Sequence, residues 1–158
     1  MASKKKNLKT DIQKKICIVG IGNPLRSDDG LGAYVCEQIE DINLPVVSVI
    51  TKHQLDTGMT EELSKFKKVI FIDASVKNET ISLKRLPLKD NYPEASSHRV
   101  NPNTLVKLAK KLYPTKTQFY MCTIGGNNFE MGNRISEQSL NYAHEAVSLL
   151  VEWIKSNA

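Results

Sequence analysis

The sequence predicts an α/β fold: a single three-layer domain whose twisted, mostly parallel sheet of about five strands carries helices on both faces. Short runs of consecutive apolar, β-branched residues alternate with segments whose apolar residues recur at helical spacing. That alternation is typical of a parallel sheet with helices packed on it. The chain has 158 residues, of which 41% are apolar and 25% charged, as expected of one globular domain with its own core.

The strands are predicted from the apolar runs. The first run, Ile16–Val19, is continuous and ends at Gly20, which is typical of a strand buried on both faces. Comparable runs predict strands at residues 46–50, 69–72 and 119–124, and alternating polarity around Ile81, Leu83 and Leu86 predicts a half-exposed peripheral strand. The strand at 69–72 is expected to end at Asp73.

Four helices are predicted, three between the strands and one after the last strand. Helical spacing of apolar residues indicates helices over residues 31–42 and 58–66. A third helix is expected to begin with Asn101 as its N-cap and Pro102 at its first position, and to end before Pro114. A long last helix is expected from Ser136 onward. The predicted order is therefore β-α-β-α-β-β-α-β-α.

The net charge of +5 is confined to the N-terminus. Residues 1–15 contain six lysines and one acid, so residues 16–158 sum to zero. This predicts a lysine-rich flexible tail over residues 1–14 and a folded domain over 15–158, with no nucleic-acid partner. No apolar segment follows the lysines as in a secretory signal, and no run approaches the ~20 residues of a membrane span. Three widely spaced cysteines fit a reducing cytoplasm.

Polar residues follow the central predicted strands, where a parallel α/β sheet places its functional crevice. The segment Gly20–Gly30 contains adjacent Asp28 and Asp29, and Asp73 follows the third strand. We expect Asp28 to cap the next helix and Asp29 to point across the crevice. His98 lies in a polar loop outside any apolar periodicity, which makes it a third candidate.

Two carboxylates and one imidazole form a nitrogen and oxygen ligand set suited to nickel, zinc or a related divalent ion. Three protein ligands leave positions open for water or substrate, as in catalytic sites. A dinucleotide site is disfavoured because the third glycine of its fingerprint is missing and two acids occupy the phosphate position. The sequence also lacks HExxH, a GxSxG elbow and a cysteine-protease signature.

The segment reading GIGNPLRSDDGLG at residues 20–32 resembles the opening motif of the [NiFe]-hydrogenase maturation endopeptidases. Further matches follow in order and extend the resemblance over about residues 15–156: HQL at 53–55, VIFIDA at 69–74, SH at 97–98 and TIGG at 123–126. Two departures stand out. Asp29 takes a position where some members have Glu, and residues 55–58 match the glycine-rich loop of other members only loosely.

The resemblance implies a cytoplasmic hydrolase that removes a C-terminal extension from the hydrogenase large-subunit precursor after nickel insertion. Carried over by position, Asp29, Asp73 and His98 would be both the metal ligands and the catalytic residues. Nickel would come with the substrate and serve as the recognition mark, with zinc or cadmium as surrogates. The protein is expected to act as a monomer.

Two questions stay open at this stage. Water activation could come from the metal or from a carboxylate acting as general base, and Asn23 with the backbone N–H groups after Gly22 could stabilise an oxyanion unless Asn23 is a turn residue. The alternative functions are a non-catalytic metal-binding module and a peptidase of the same fold with another substrate.

Overall fold

The computed structural model describes residues 14–77, 79–86 and 100–158. Its strands and helices follow one another in the predicted order. They are β1 Ile16–Ile21, α1 Leu31–Ile42, β2 Val47–Lys52, α2 Thr60–Leu63, β3 Lys68–Ser75, β4 Ile81–Arg85, α3 Pro102–Leu112, β5 Gln118–Gly125 and α4 Glu137–Asn157. Short 3-10 turns at Ser27–Gly30 and Thr57–Met59 lead into α1 and α2.

The five strands form one sheet in the order β2-β1-β3-β5-β4. Strands β2, β1, β3 and β5 are mutually parallel, and β4 pairs antiparallel with β5 at the edge. The prediction of a mostly parallel five-stranded sheet with a peripheral fourth strand is confirmed. From β1 the chain moves outward to β2 and then crosses back to β3 on the other side of β1. This reversal opens a crevice at the carboxyl ends of β1 and β3, the usual ligand position in such sheets.

Each face of the sheet has its own core, and the two sets alternate along the strands as the period of a β-strand requires. On one face, Ile16 and Ile18 pack with α1 and α4 through residues such as Val35 and Leu150. On the other face, Cys17, Val19, Val69 and Phe71 pack with α2 and α3 through Leu63, Leu105 and Ala109. The predicted three-layer arrangement is therefore confirmed.

The predicted helix over residues 58–66 is wrong in extent, since the α-helix covers only Thr60–Leu63. Beyond Ser64 the N–H groups of Lys65 and Phe66 donate to the carbonyls of Glu62 and Leu63, three residues back, as in a turn. Thr115 Oγ1 donates to the carbonyl of Ser64 at 2.9 Å, and Thr117 Oγ1 donates to that of Phe66 at 2.6 Å. The segment consequently bends into β3 instead of continuing as a helix.

The start of α3 is confirmed as predicted. Asn101 Oδ1 accepts a hydrogen bond from the Thr104 N–H at 2.8 Å, and Pro102 is the first helical residue. The tail at residues 1–13 and the segment 87–99 lie outside the described residues. Within the described ranges, none of the helices has the length and apolar character needed to cross a bilayer.

Gly32 allows the first turn of α1 to lie directly against the carboxyl ends of the central strands. A Cβ at this position would lie 2.5 Å from the carbonyl oxygen of Ile72 and 2.8 Å from the backbone N and O of Ile21. These are backbone atoms of β1 and β3, so they cannot yield without shifting the sheet. Gly32 therefore sets the distance between α1 and the crevice.

We expect Gly32→Ala to destabilise the protein by about 1–3 kcal/mol, as overpacking of a fixed backbone does. The measurement is urea unfolding followed by circular dichroism. The control is Gly58→Ala at an exposed site, where the nearest atom to the new Cβ is the end of the Asp56 side chain at 3.0 Å. Its effect should stay within about 0.5 kcal/mol. Equal losses in the two variants would contradict this packing account.

Candidate active site

Asp29 and Asp73 meet at the crevice between the carboxyl ends of β1 and β3. Both line a cavity of about 490 Å³. Its other lining residues come from the loop after β1, the segment after β2 and the start of α3: Ile21, Gly22, Asn23, Arg26, His53, Gln54, Leu55, Val100, Asn101 and Pro102. Asp73 lies inside β3, two residues before its end at Ser75, rather than just after the strand as predicted. A rigid strand therefore carries this carboxylate.

Asp29 is held by the loop that precedes it. The backbone N–H of Asn23 donates to Asp29 Oδ2 at 2.7 Å. Gly22 makes this approach possible, because its φ is +128° and a Cβ there would collide with the carbonyl oxygen of Asp29. This positive φ strongly favours glycine, so the first motif fixes Asp29 through both conformation and hydrogen bonding.

Burial is the main reason why the pKa of the Asp73 carboxyl is raised from 3.8 to about 7. The hydrogen bond from the Ala74 N–H to Asp73 Oδ1, at 2.8 Å, lowers the pKa but has a smaller effect than burial, and the negative charge of Asp29 makes a smaller contribution that raises it. Two carboxylates that share a partly desolvated cavity repel each other. A bound cation would relieve that repulsion, so the donor set fits a divalent metal ion.

The expectation that Asp28 caps α1 is wrong. Asp28 is fully buried and faces the C-terminal part of the chain. Its carboxylate accepts hydrogen bonds from the N–H groups of Asn127 (2.7 Å), Asn128 (2.9 Å) and Ser136 (2.7 Å), and from Ser136 Oγ (2.7 Å). Ser139 Oγ lies a further 3.2 Å away. Asp28 thus sits at the N-terminus of α4, where the helix dipole also favours a negative charge.

Burial alone would raise the pKa of Asp28, but the hydrogen bonds from Asn127, Ser136 and Asn128 outweigh it and hold the pKa below the usual 3.8. The carboxylate is therefore ionised in the folded protein at neutral pH. A buried charge of this kind is tolerated because several donors satisfy it. Asp28 is a structural anchor, and its neighbour Asp29 is left to face the cavity.

Further bonds tie the two loops together. The Ser27 N–H donates to the carbonyl of Gly132 at 2.7 Å, and the Gly132 N–H donates to that of Leu25 at 2.9 Å. Ser27 Oγ donates to the carbonyl of Glu130 at 2.8 Å, with Ser27 itself at a φ of +52°. The loop after β1 and the loop after β5 form one unit, which the sequence did not predict.

The part of the oxyanion hypothesis that rests on the backbone N–H groups after Gly22 is wrong for this conformation, because these groups are already used. The N–H groups of Asn23, Leu25 and Arg26 donate to Asp29 Oδ2, Asn23 Oδ1 and the carbonyl of Asn23, respectively. Asn23 is a turn residue, the alternative that the sequence left open. Arg26 is the cation that sequence reasoning missed in this cavity, because an exposed arginine in a loop carries no distinguishing signal.

His98 lies outside the described residues, so its place as third ligand stays a prediction. The segment that contains it leads into Val100, which bridges to Leu55 and lines the cavity. Within residues 14–77, 79–86 and 100–158, no group of three His, Cys, Asp or Glu side chains could hold a metal. His53 lines the cavity but is exposed. His144 instead lies 2.9 Å from the Tyr34 hydroxyl.

The three cysteines are buried and free. Burial raises the pKa of Cys17, Cys36 and Cys122 to about 12, so the thiols stay protonated at neutral pH. Since the thiolate is the nucleophilic form, none of them is suited to attack a peptide bond.

Comparison with known proteins supports the family resemblance. Two relatives from Methanocaldococcus jannaschii are named hydrogenase maturation proteases. One is 28% identical over 111 residues, covering 62% of this chain and 65% of the relative, so that match spans slightly less than two thirds of the relative's length. The other is 28% identical over 154 residues and covers 90% of this chain and 98% of the relative. No protein-family model matches the chain.

Solved structures share the fold. The [NiFe] hydrogenase maturation protease HycI from Thermococcus kodakarensis matches with a TM-score of 0.71 at 23% identity, covering 92% of this chain and 95% of that one. The hydrogenase maturating endopeptidase HybD from E. coli matches with a TM-score of 0.68 at 16% identity, covering 91% and 94%. The fold and the sequence relatives together confirm the predicted resemblance to the [NiFe]-hydrogenase maturation endopeptidases.

Asp28→Asn should destabilise the protein by about 2 kcal/mol or more at pH 7, since hydrogen bonds to an ionised group contribute about 1.5–3 kcal/mol each. Because folding lowers the pKa of Asp28, the ionised carboxylate adds to the free energy of unfolding above the unfolded pKa of 3.8. This stabilisation is lost as the pH falls below 3.8. Urea unfolding at pH 7 measures the loss. The control is Asp41→Asn, at an exposed position late in α1, and an equal effect there would refute the anchor role.

Asp73→Asn should change how stability depends on pH. Folding raises the pKa of Asp73, so the wild-type protein is not destabilised by this group below about pH 4. Its free energy of unfolding then decreases as the pH rises to about 7, because a buried carboxyl must ionise. In metal-free protein the melting temperature of the Asn variant, relative to wild type, should therefore increase from pH 4 to pH 7 and then level off. Thermal melts in matched buffers measure this, and a difference independent of pH would contradict it.

Proposed function

We propose that this chain, which resembles the [NiFe]-hydrogenase maturation endopeptidases in sequence and fold, is a cytoplasmic endopeptidase of that kind. Its substrate is the precursor of a [NiFe]-hydrogenase large subunit, from which it removes the C-terminal extension. Cleavage follows nickel insertion, and the nickel of the substrate is the mark that the enzyme recognises. The observation that carries the proposal is the convergence of Asp29 and Asp73 on one cavity at the switch point of the sheet.

The two carboxylates are arranged to receive a cation that arrives with the substrate. Asp29 is positioned by the Asn23 N–H and Asp73 by a strand, so the pair is held in place before the substrate binds. Burial and, to a smaller extent, the charge of Asp29 disfavour the ionised form of Asp73, so a cation between the two carboxyl groups would be stabilising. His98 completes the ligand set as a nitrogen donor, in line with the preference of nickel for imidazole.

Hydrolysis breaks the peptide C–N bond, with the hydroxyl of a water added to the carbonyl carbon and its proton transferred to the leaving amine. A bound cation would favour the ionised form of Asp73, whose pKa burial raises. A carboxylate released from the metal could accept the proton of water as general base. The nickel of the substrate supplies charge and holds the scissile peptide next to these groups.

Asp29→Asn, Asp73→Asn and His98→Ala should each reduce processing of a nickel-loaded large-subunit precursor by about 100-fold or more. Each change removes a ligand or base. Asp29→Asn and His98→Ala should change the melting temperature little at neutral pH, whereas Asp73→Asn should raise it, because the variant no longer buries a carboxylate. Cleavage is measured by mass spectrometry of the precursor. The exposed Asp41→Asn variant is the matched control and should process normally.

Several outcomes would contradict this function. Nickel binding by the protein without cleavage of any precursor would indicate a metal-binding module. Cleavage of nickel-free precursor at the same rate would remove nickel as the recognition mark. A large loss of stability in His98→Ala would identify a structural histidine and take it out of the ligand set.

A further inference from the structure

Two large apolar side chains are exposed on two hydrogen-bonded loops, one of which lines the cavity. Leu25 is 59% exposed and Met131 is 80% exposed. They belong to the loop after β1 and the loop after β5, which are joined by the hydrogen bond from the Gly132 N–H to the carbonyl of Leu25. Arg26 also bridges to Gly132 in a parallel arrangement. The two side chains thus come from adjacent backbone segments.

These loops are held firmly, so the exposure is not that of a loose segment. The buried Asp28 fastens the first loop to Asn127 and Ser136, and Ser27 fastens it to Glu130. A fixed backbone that presents Leu and Met to solvent gives up the free energy of burying them. Exposed apolar patches in such positions mark surfaces that another molecule covers.

The loop that carries Leu25 also lines the cavity. Leu25 lies between Asn23 and Arg26, both of which line the cavity. The cavity volume of about 490 Å³ is in the range of small-ligand pockets, about 300–1,000 Å³. It can therefore take a short extended stretch of a substrate chain but no folded domain. Whatever folded body is attached to that stretch has to lie on the rim.

We propose that Leu25 and Met131 form a docking surface for the folded body of the precursor, distinct from the contacts that its cleaved extension makes in the cavity. This rests on the proposed function and names the surface that recognises the substrate as a folded protein. Methionine and arginine are enriched at protein interfaces, and the flexible Met131 can adapt to a partner surface. Arg26, which follows Leu25 in the chain, lines the cavity.

The test compares wild type with the double variant Leu25→Ser/Met131→Ser on nickel-loaded precursor. The variant should raise KM about tenfold or more, because two apolar contacts are lost, while kcat changes less than about twofold. Leu112→Ser is the matched control. It is 56% exposed at the end of α3 and should leave KM unchanged. Melting temperatures of all three should agree within about 2 °C, since the changes are on the surface.

Binding of the intact precursor to immobilised enzyme is measured in parallel, so that docking is tested apart from cleavage. If wild type binds the precursor and the double variant does not, the docking surface is supported. If wild type binds in this way but does not cleave the precursor, only the proposed function is overturned. Wild-type cleavage with an unchanged KM in the double variant overturns the docking surface alone. No binding by wild type overturns both. A concentration-dependent dimer that the double variant abolishes assigns the surface to a second copy of the chain and also overturns it.

Discussion

The buried carboxylate of Asp28 is the interaction on which the rest of the site depends. It is fully buried and accepts hydrogen bonds from the N–H groups of Asn127, Asn128 and Ser136, which lie in the C-terminal part of the chain. An ionised group in this position is costly unless satisfied, so the two loops have one arrangement of low free energy. That arrangement fixes the backbone at residue 28 and thereby directs the side chain of residue 29.

The adjacent aspartates divide two tasks. The Asp28 carboxylate accepts hydrogen bonds inside the protein, and these bonds lower its pKa. Asp29 accepts one bond from Asn23 and faces the cavity with Asp73, whose pKa is raised. Two carboxyl groups one peptide apart thus belong to different environments, one that stabilises the fold and one that favours a bound cation.

The fold was predictable because its signals are local. The buried runs of β1 and β3, the helical spacing of residues 31–42 and the cap at Asn101 each specify an element within a few residues, and the sheet rule then places Asp29 and Asp73 at one crevice. What escaped prediction depends on contacts distant in sequence. Thr115 and Thr117 bind the turn that follows α2, and the loop after β5 donates to Asp28. Neither contact follows from the spacing of residues near the affected segment.

The bonds of Asp28 also have a consequence for biosynthesis. Its donors lie about 100 residues downstream, at residues 127–136. Since chains emerge from the ribosome N-terminus first, a growing chain can place β1 and β3 together well before those donors exist. Until then Asp28 is without its partners and the loop that carries Asp29 is not fixed. The geometry around Asp29 is therefore complete only after residues 127–136 have been synthesised.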